Sequence, residues 1–204
     1  MSPKFPQDLP DNLPDHLPDQ LIVAADRADA EALKRALSPL PQKLLKTAFE
    51  ATGCRIYISP TRPELRLSFG LKHQLHFGPR PDLKGESWER FPFFNWGYGQ
   101  PPYIHLPADT LDPERALAIH EVGGHLVDFA LSQGRYGEEP WHRLSPQMQR
   151  PLDEYATDEY ERWACAMQAY HAVGNCLPTC NREHLRQTEP ELHAYITAFL
   201  ERWR

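Results

Sequence analysis

Long apolar runs, a basic surface and a cysteine framework are all missing from this chain of 204 residues. No apolar stretch approaches the roughly 20 residues that a membrane-spanning helix needs, so we expect no membrane insertion. The N-terminus is rich in Pro and Asp, whereas a cleaved secretory signal has a basic start and an apolar core. We therefore expect a protein that is cytoplasmic in the producing cell, or exported without a cleavable signal peptide.

Positive charge is also scarce. The chain has 22 Lys and Arg against 28 Asp and Glu, a formal net charge of −6, and no dense basic stripe. Because nucleic acids and anionic membranes are bound through such stripes, we expect no nucleic-acid partner. Four cysteines are too few for a disulfide scaffold, and Cys54 and Cys165 stand alone inside apolar segments. This favours reduced core thiols.

Proline, by contrast, is abundant near the N-terminus. Residues 3–20 repeat a Leu-Pro-Asp unit, in which each proline fixes φ and removes a backbone donor. We therefore predict an extended tail over residues 1–22. Residues 23–204 then have the size of one domain, and the chain is 41% hydrophobic, which is enough for a core.

The spacing of apolar residues predicts an α+β domain, with a small sheet towards the N-terminal side and a helical C-terminal half. The sheet is expected to be antiparallel or mixed, and the aromatic stretch over residues 88–102 is expected to be a packed loop. Five helices are predicted: over 26–37, from Pro41 to a stop at Gly53, from Asp112 to about Ser132, after Asp158 and after Thr188. Four strands are predicted, over 54–58, 65–69, 74–77 and 103–106.

The most informative pattern is His120-Glu121-Val122-Gly123-Gly124-His125 in the helix predicted after Asp112. In the H-E-x-x-H pattern of zinc hydrolases, two imidazoles four residues apart bind Zn²⁺ and the Glu takes a proton from water. Here the histidines are five residues apart, which on a regular α-helix separates the rings by roughly 140°. A π-bulge absorbs one extra residue, and two glycines make it inexpensive. The sequence therefore predicts a bulge at Gly123-Gly124.

A catalytic zinc ion keeps three protein ligands, so a third must come from another segment. The acid-rich stretch over residues 153–164 follows about 30 residues downstream. Glu161 shares a helical face with Cys165, which favours an inward position. The alternative candidates for the third ligand are Glu154, Asp158 and Glu159.

The segments HEVGGHLVD and YATDEYERWA together resemble gluzincin-type zincin metallopeptidases, most closely the catalytic domain of lethal factor-like toxin peptidases. The H-E-x-x-G-H spacing is similar to that of dipeptidyl peptidase III, another zinc enzyme. The resemblance implies a zincin-like fold with one catalytic Zn²⁺. It makes His120, His125 and Glu161 the zinc ligands and Glu121 the general base.

The same resemblance implies roles for residues around the metal. Tyr155 would support the oxyanion, and Asp128 would orient a ligand imidazole. Tyr103, Ile104 and His105 would belong to an edge strand that binds the substrate. The extra glycine, and a spacing from Tyr155 to Glu161 one residue shorter than in lethal factor, depart from the family pattern.

We therefore expect a zinc metallopeptidase that acts on a peptide or protein substrate, of a kind that includes toxins and secreted effectors. The alternative is a catalytically inactive zincin-scaffold binding or regulatory protein, whose metal site the Gly123-Gly124 insertion has disrupted. Cys176, Cys180 and His184, with His171 or His193, could close a second zinc site. Their spacing fits no common ligand pattern, which favours a reduced loop or a short local disulfide.

Overall fold

The structure is a computed structural model that describes residues 19–75, 90–95, 101–132, 159–172 and 181–204. It has the predicted α+β architecture, with the sheet formed by the N-terminal half and helices dominating the C-terminal part. The strands are β1 (Ile22–Ala24), β2 (Arg55–Ser59), β3 (Phe93–Asn95) and β4 (Tyr103–Pro107). The helices are α1 (Arg27–Leu37), α2 (Gln42–Thr52), α3 (Pro63–Lys72), α4 (Leu117–Ile119), α5 (Val127–Leu131), α6 (Glu159–His171), α7 (Arg182–Thr188) and α8 (Pro190–Glu201).

The four strands form one mixed sheet in the order β1-β2-β4-β3. β1, β2 and β4 run parallel, whereas β3 runs antiparallel to β4 and is the outermost strand on that side. Parallel neighbours need a crossover between them, and the helix pair α1–α2 provides the one from β1 to β2. Ile56, Ile58, Ile104 and Leu106 are fully buried, so the middle strands anchor the core.

The first two predicted helices are confirmed, and their ends follow local signals. The side chain of Asp26 accepts a hydrogen bond from the backbone of Ala28 and caps α1. Gly53 ends α2 with a left-handed φ of 66°, a conformation that glycine adopts without a Cβ clash. Both helices bury leucines. α1 packs against β1, and both helices pack against the helix that carries the histidine motif.

Residues 65–69 were predicted as a strand, but they lie in helix α3. The alternating leucines that suggested a strand face solvent, with Leu65 38% and Leu67 54% exposed. The residues that α3 buries are Arg66, Phe69 and Gly70, which have helical spacing. Pro63 in the first turn, followed by Glu64, starts the helix, and this signal outweighs the alternation.

One further strand prediction and one loop prediction need correction. Gln74 lies in the turn after α3 with φ 58°, so a strand cannot begin there, and residues 76–77 are outside the described residues. The aromatic stretch predicted as a loop contains β3, since Phe93–Asn95 pairs with β4.

β1 was not predicted, and it begins at Ile22, at the end of the predicted tail. Residues 1–18 of that tail lie outside the described residues.

The helix predicted from Asp112 begins five residues later, at Leu117. Asp112 does accept a hydrogen bond from the backbone of Glu114 at 2.9 Å, but this closes a turn. Ala116 has φ 52°, and this left-handed residue interrupts any right-handed helix before Leu117. The helix then runs to Leu131, one residue short of the predicted end.

The C-terminal helices complete the core. α6 and α8 begin where they were predicted, and α8 buries Leu192, Ile196, Phe199 and Leu200. α7 was not predicted, and Asn181 caps it by accepting from the backbone of His184 at 2.9 Å. Among the described residues, none of the helices combines the length and apolar character that a bilayer crossing requires.

Candidate metal centre

The predicted bulge in the motif helix is confirmed. His120–Leu126 form a π-helical segment of seven residues between α4 and α5, which we call the π segment. It contains the whole of HEVGGH, so the extra residue is absorbed where the glycines lie. Both imidazoles consequently face α6, with ring centroids 4.9 Å apart and ring planes at 75°.

The second glycine of the motif allows α6 to approach the π segment. A Cβ added at Gly124 would lie 2.5 Å from Ala164 Cα, closer than any real Cβ contact. Gly124 therefore permits backbone contact between the two helices, and no larger residue fits. Gly123 has more room, since its Cβ would meet the flexible side chains of Ile119 and Leu40 at 3.1 Å.

This close contact brings the predicted third ligand to the histidines. Glu161 Oε2 lies 3.3 Å from His120 Nε2, and Glu161 Oε1 lies 3.4 Å from His125 Nε2. One carboxylate therefore bridges the two imidazoles, each through a different oxygen. The structure does not describe the alternative third ligands: these are Glu154 and Asp158 as whole residues and the side chain of Glu159.

Gln168 holds His120 in one orientation, and sequence reasoning missed it. Its amide nitrogen donates to the Arg115 carbonyl at 2.9 Å, which turns its Oε1 towards His120 Nδ1 at 3.1 Å. Because an amide oxygen only accepts, Nδ1 carries a proton, and Nε2 is the ring nitrogen that faces Glu161. Gln168 lies two helical turns after Glu161 on the same face of α6, and this spacing is the signal that could have identified it.

The charges of the cluster reinforce one another. Burial alone would raise the pKa of Glu161, but hydrogen bonds from His120 and His125 outweigh it and hold that pKa well below its usual range. Burial alone would lower the pKa of His120, but hydrogen bonds with Cys165 and Glu161, and the charge of Glu121, raise it well above its usual range. The cluster therefore favours an anionic carboxylate beside a strongly basic imidazole nitrogen.

Glu121, the predicted general base, is 5% exposed and lies in the π segment directly after His120. A carboxylate is rarely buried unless a cation or a hydrogen-bond donor compensates it. The negative charge of Glu121 contributes to the raised pKa of His120.

Asp128 does not have its predicted role as an imidazole partner. The side chain is buried, but His120 Nδ1 is bonded to Gln168, and His125 Nδ1 has no hydrogen-bond partner among the described residues. The orienting role at His120 therefore belongs to Gln168. Tyr155, the predicted oxyanion donor, lies outside the described residues.

The predicted substrate-binding residues are not on an edge strand. Tyr103, Ile104 and His105 lie in β4, which pairs with β2 on one side and with β3 on the other. Backbone pairing on both sides leaves no room for an added peptide strand, and the Ile104 and His105 side chains are fully buried. Among the strands that the structure describes, β1 and β3 lie at the two edges of the sheet, and β3 is the one next to β4.

β3 lies next to the candidate metal centre. Phe94 of β3 stacks on His125, with ring centroids 6.4 Å apart and ring planes within 7° of parallel. The same ring contacts Phe129 edge-on in α5. Phe94 belongs to the aromatic stretch that was predicted as a packed loop, so its position beside a candidate ligand is a second feature that the sequence did not reveal.

Comparison with known proteins adds no relative. No protein-family model matches the chain, and a search of the curated proteins found no match. The functional conclusion therefore depends on the geometry of the cluster.

Proposed function

We propose that this chain is a zinc-dependent metallopeptidase, with His120, His125 and Glu161 as ligands and Glu121 as general base. One observation carries the proposal: the π segment turns two imidazoles, five residues apart in sequence, towards a single carboxylate on α6. A buried acid follows the first histidine directly. Two imidazoles and one carboxylate are also the three protein ligands of many catalytic zinc sites.

The chemical types of the proposed donors suit a zinc ion. Nitrogen and carboxylate oxygen are preferred zinc ligands, and the two Nε2 atoms contact opposite oxygens of the same carboxylate. Gln168 fixes the tautomer of His120 so that Nε2 is the basic nitrogen, which is the arrangement that metal-binding histidines require. Zn²⁺ in such a site supplies a Lewis acid that acidifies water and polarises a carbonyl.

In this proposal Glu121 transfers the proton of the reaction. In the proposed mechanism its carboxylate accepts a proton from the attacking water as the carbon–oxygen bond forms at the peptide carbonyl. It then delivers that proton to the nitrogen of the leaving amine as the carbon–nitrogen bond breaks. Its burial supports this role, because exclusion of water strengthens each electrostatic interaction that the carboxylate makes.

An extended peptide is the substrate that suits the surroundings. β3 is the outermost strand on its side of the sheet and lies beside His125 through Phe94. Addition of a peptide alongside an outer strand is a common mode of recognition, in which main-chain hydrogen bonds fix the peptide's direction. We therefore propose that the substrate lies next to β3, whereas the sequence predicted contact with the strand that is now β4.

The test combines metal content with cleavage. We expect about one zinc ion per chain by elemental analysis, and cleavage of a subset of a peptide library by mass spectrometry. Glu121→Gln should keep the zinc and lose the cleavage, while Glu114→Gln, which changes an exposed acid in the turn before α4, should keep both.

The outcomes separate the proposal from its alternative. A chain that binds zinc and cleaves no peptide would favour the binding or regulatory protein on the same scaffold. A chain that purifies without metal and takes none up would refute the ligand assignment. Wild-type turnover in Glu121→Gln would refute the mechanism.

A further inference from the structure

Cys165 lies among the candidate metal ligands and has no part in the mechanism proposed above. It follows Glu161 by one helical turn on α6 and precedes Gln168 by three residues, so all three share one face. The thiol is 4% exposed. The ligand atoms of His120, Glu161 and Cys165 all lie within 4.8 Å of one another.

The other buried thiol among the described residues shows what a core cysteine looks like in this protein. Cys54 is fully buried in the hydrophobic core, and its thiol contacts the Arg55 carbonyl at 3.6 Å. Burial raises the pKa of Cys54, which keeps it a neutral thiol. Cys165 is buried to a similar degree, but it hydrogen-bonds to His120. Its surroundings are therefore those of a ligand.

We propose that Cys165 is a fourth protein ligand of the metal ion held by His120, His125 and Glu161. This inference rests on the metal site of the proposed function. Thiolate is among the strongest zinc donors, and coordination releases the thiol proton to solvent. The resulting set has two nitrogens, one oxygen and one sulfur. Four protein ligands complete the tetrahedral geometry that zinc prefers.

A four-ligand site has a consequence for activity. A catalytic zinc site keeps one position open for water, whereas a site with four protein ligands is closed. In the resting protein Cys165 therefore occupies the position that hydrolysis needs, and it must leave before water or substrate can bind. Its departure takes back one proton. The thiolate also biases the site towards Zn²⁺ and Co²⁺ over Mg²⁺, Ca²⁺ and Mn²⁺, which prefer oxygen ligands.

Cobalt substitution tests the ligand directly and without any measurement of activity. The full chain is stripped of metal and loaded with one equivalent of Co²⁺. Visible absorption then reports cobalt in a protein site, and a thiolate-to-cobalt charge-transfer band in the near ultraviolet reports a sulfur ligand. We expect both features in the wild-type protein. We expect loss of the near-ultraviolet band in Cys165→Ser, with the visible absorption retained.

Control variants attribute the band to one cysteine. Cys54→Ala and the double variant Cys176→Ser/Cys180→Ser should both retain the charge-transfer band. A band that persists in Cys165→Ser, or that disappears in the double variant, would overturn the proposal. So would visible absorption without any near-ultraviolet band in the wild-type protein, a result that leaves the His120, His125 and Glu161 site intact. If the wild-type protein binds no cobalt at all, the proposed function fails together with this inference.

Discussion

His105 is buried and His120 is largely buried, and both have two hydrogen-bonded ring nitrogens, but their environments shift the imidazole pKa in opposite directions. His105 Nδ1 lies 3.2 Å from the Phe91 carbonyl, and its Nε2 lies 2.9 Å from the Ser59 hydroxyl. Both partners are neutral, and burial lowers the pKa of His105 to about 4. At His120 the partner of Nε2 is the Glu161 carboxylate, and the pKa is raised.

The comparison shows which contact distinguishes a structural histidine from a candidate ligand. The Nδ1 partner is similar in the two cases, since a carbonyl oxygen accepts in each. The Nε2 partner differs, and only His120 presents that nitrogen to a group that can share a cation. His105, in a strand between two neighbours, therefore has a structural environment, whereas His120, in the π segment, has the environment expected of the proposed metal ligand.

The strongest test of this distinction is to remove each imidazole in turn. His120→Ala should lose all bound zinc, because it removes one of the three proposed ligands. His105→Gln should keep the full zinc content. Elemental analysis after dialysis against a weak chelator measures both. Equal zinc in His120→Ala and the wild-type protein would remove the basis for treating the two histidines differently.

The second prediction concerns acid stability. The pKa of His105 is about 4 in the folded protein and about 6.5 in the unfolded chain. As pH falls through this range, the unfolded chain binds a proton that the folded protein does not, so the free energy of unfolding should decrease, by about 3 kcal/mol at most. Above pH 6.5 this group has no effect.

Urea titrations of metal-free protein at a series of pH values measure that decrease. His171, whose pKa is also lowered to about 4 by burial and by Arg182, adds a second contribution of the same sign. His105→Gln should therefore show a shallower dependence than the wild-type protein. An unchanged slope between pH 6.5 and 4 would mean that His105 is not buried in the neutral form.

The third prediction tests the contact that brings Glu161 to the histidines. Gly124→Ala places a methyl group against the backbone of Ala164 and should lower the free energy of unfolding by about 1–3 kcal/mol, the usual cost of overpacking. Because the helices are forced apart, zinc affinity should also fall. Gly123→Ala is the matched control, since its methyl group meets side chains that can move. Equal losses in the two variants would contradict the packing described at Gly124.

The smallest effect is expected at Gln168. Gln168→Leu removes the acceptor at His120 Nδ1 and should lower zinc affinity by about 10–100-fold, the range found for such orienting partners. Gln168→Glu keeps an acceptor for Nδ1 but loses the donor to the Arg115 carbonyl, so it should restore only part of the loss. Gln187→Leu, on the exposed face of α7, should leave affinity unchanged. Competition with a chromophoric chelator measures all three.

Much of this arrangement follows from local signals in the sequence. The Asp26 cap, the Gly53 stop and the proline entry of α8 each fix a helix end through contacts within a few residues. The bulge could be predicted for the same reason, because the spacing of His120 and His125 and the intervening glycines are local features.

The errors arose where tertiary structure decides the outcome. Alternation over residues 65–69 predicted a strand, but helix α3 leaves those leucines in solvent and buries Arg66, which bonds to Asp109 at 2.6 Å. The place of β4 inside the sheet depends on β3, whose short strand lies in an aromatic stretch without a pattern. Gln168 was missed because its partners, His120 and Arg115, are about 50 residues away in sequence.

The π segment also bears on how the motif changes over generations. Deletion of one glycine codon would turn H-E-V-G-G-H into H-E-V-G-H, and insertion of one would reverse the change. Because a π-helix takes up a single surplus residue within one helix, α4 and α5 can keep their places through either event. The two spacings of the motif are thus one codon deletion or insertion apart.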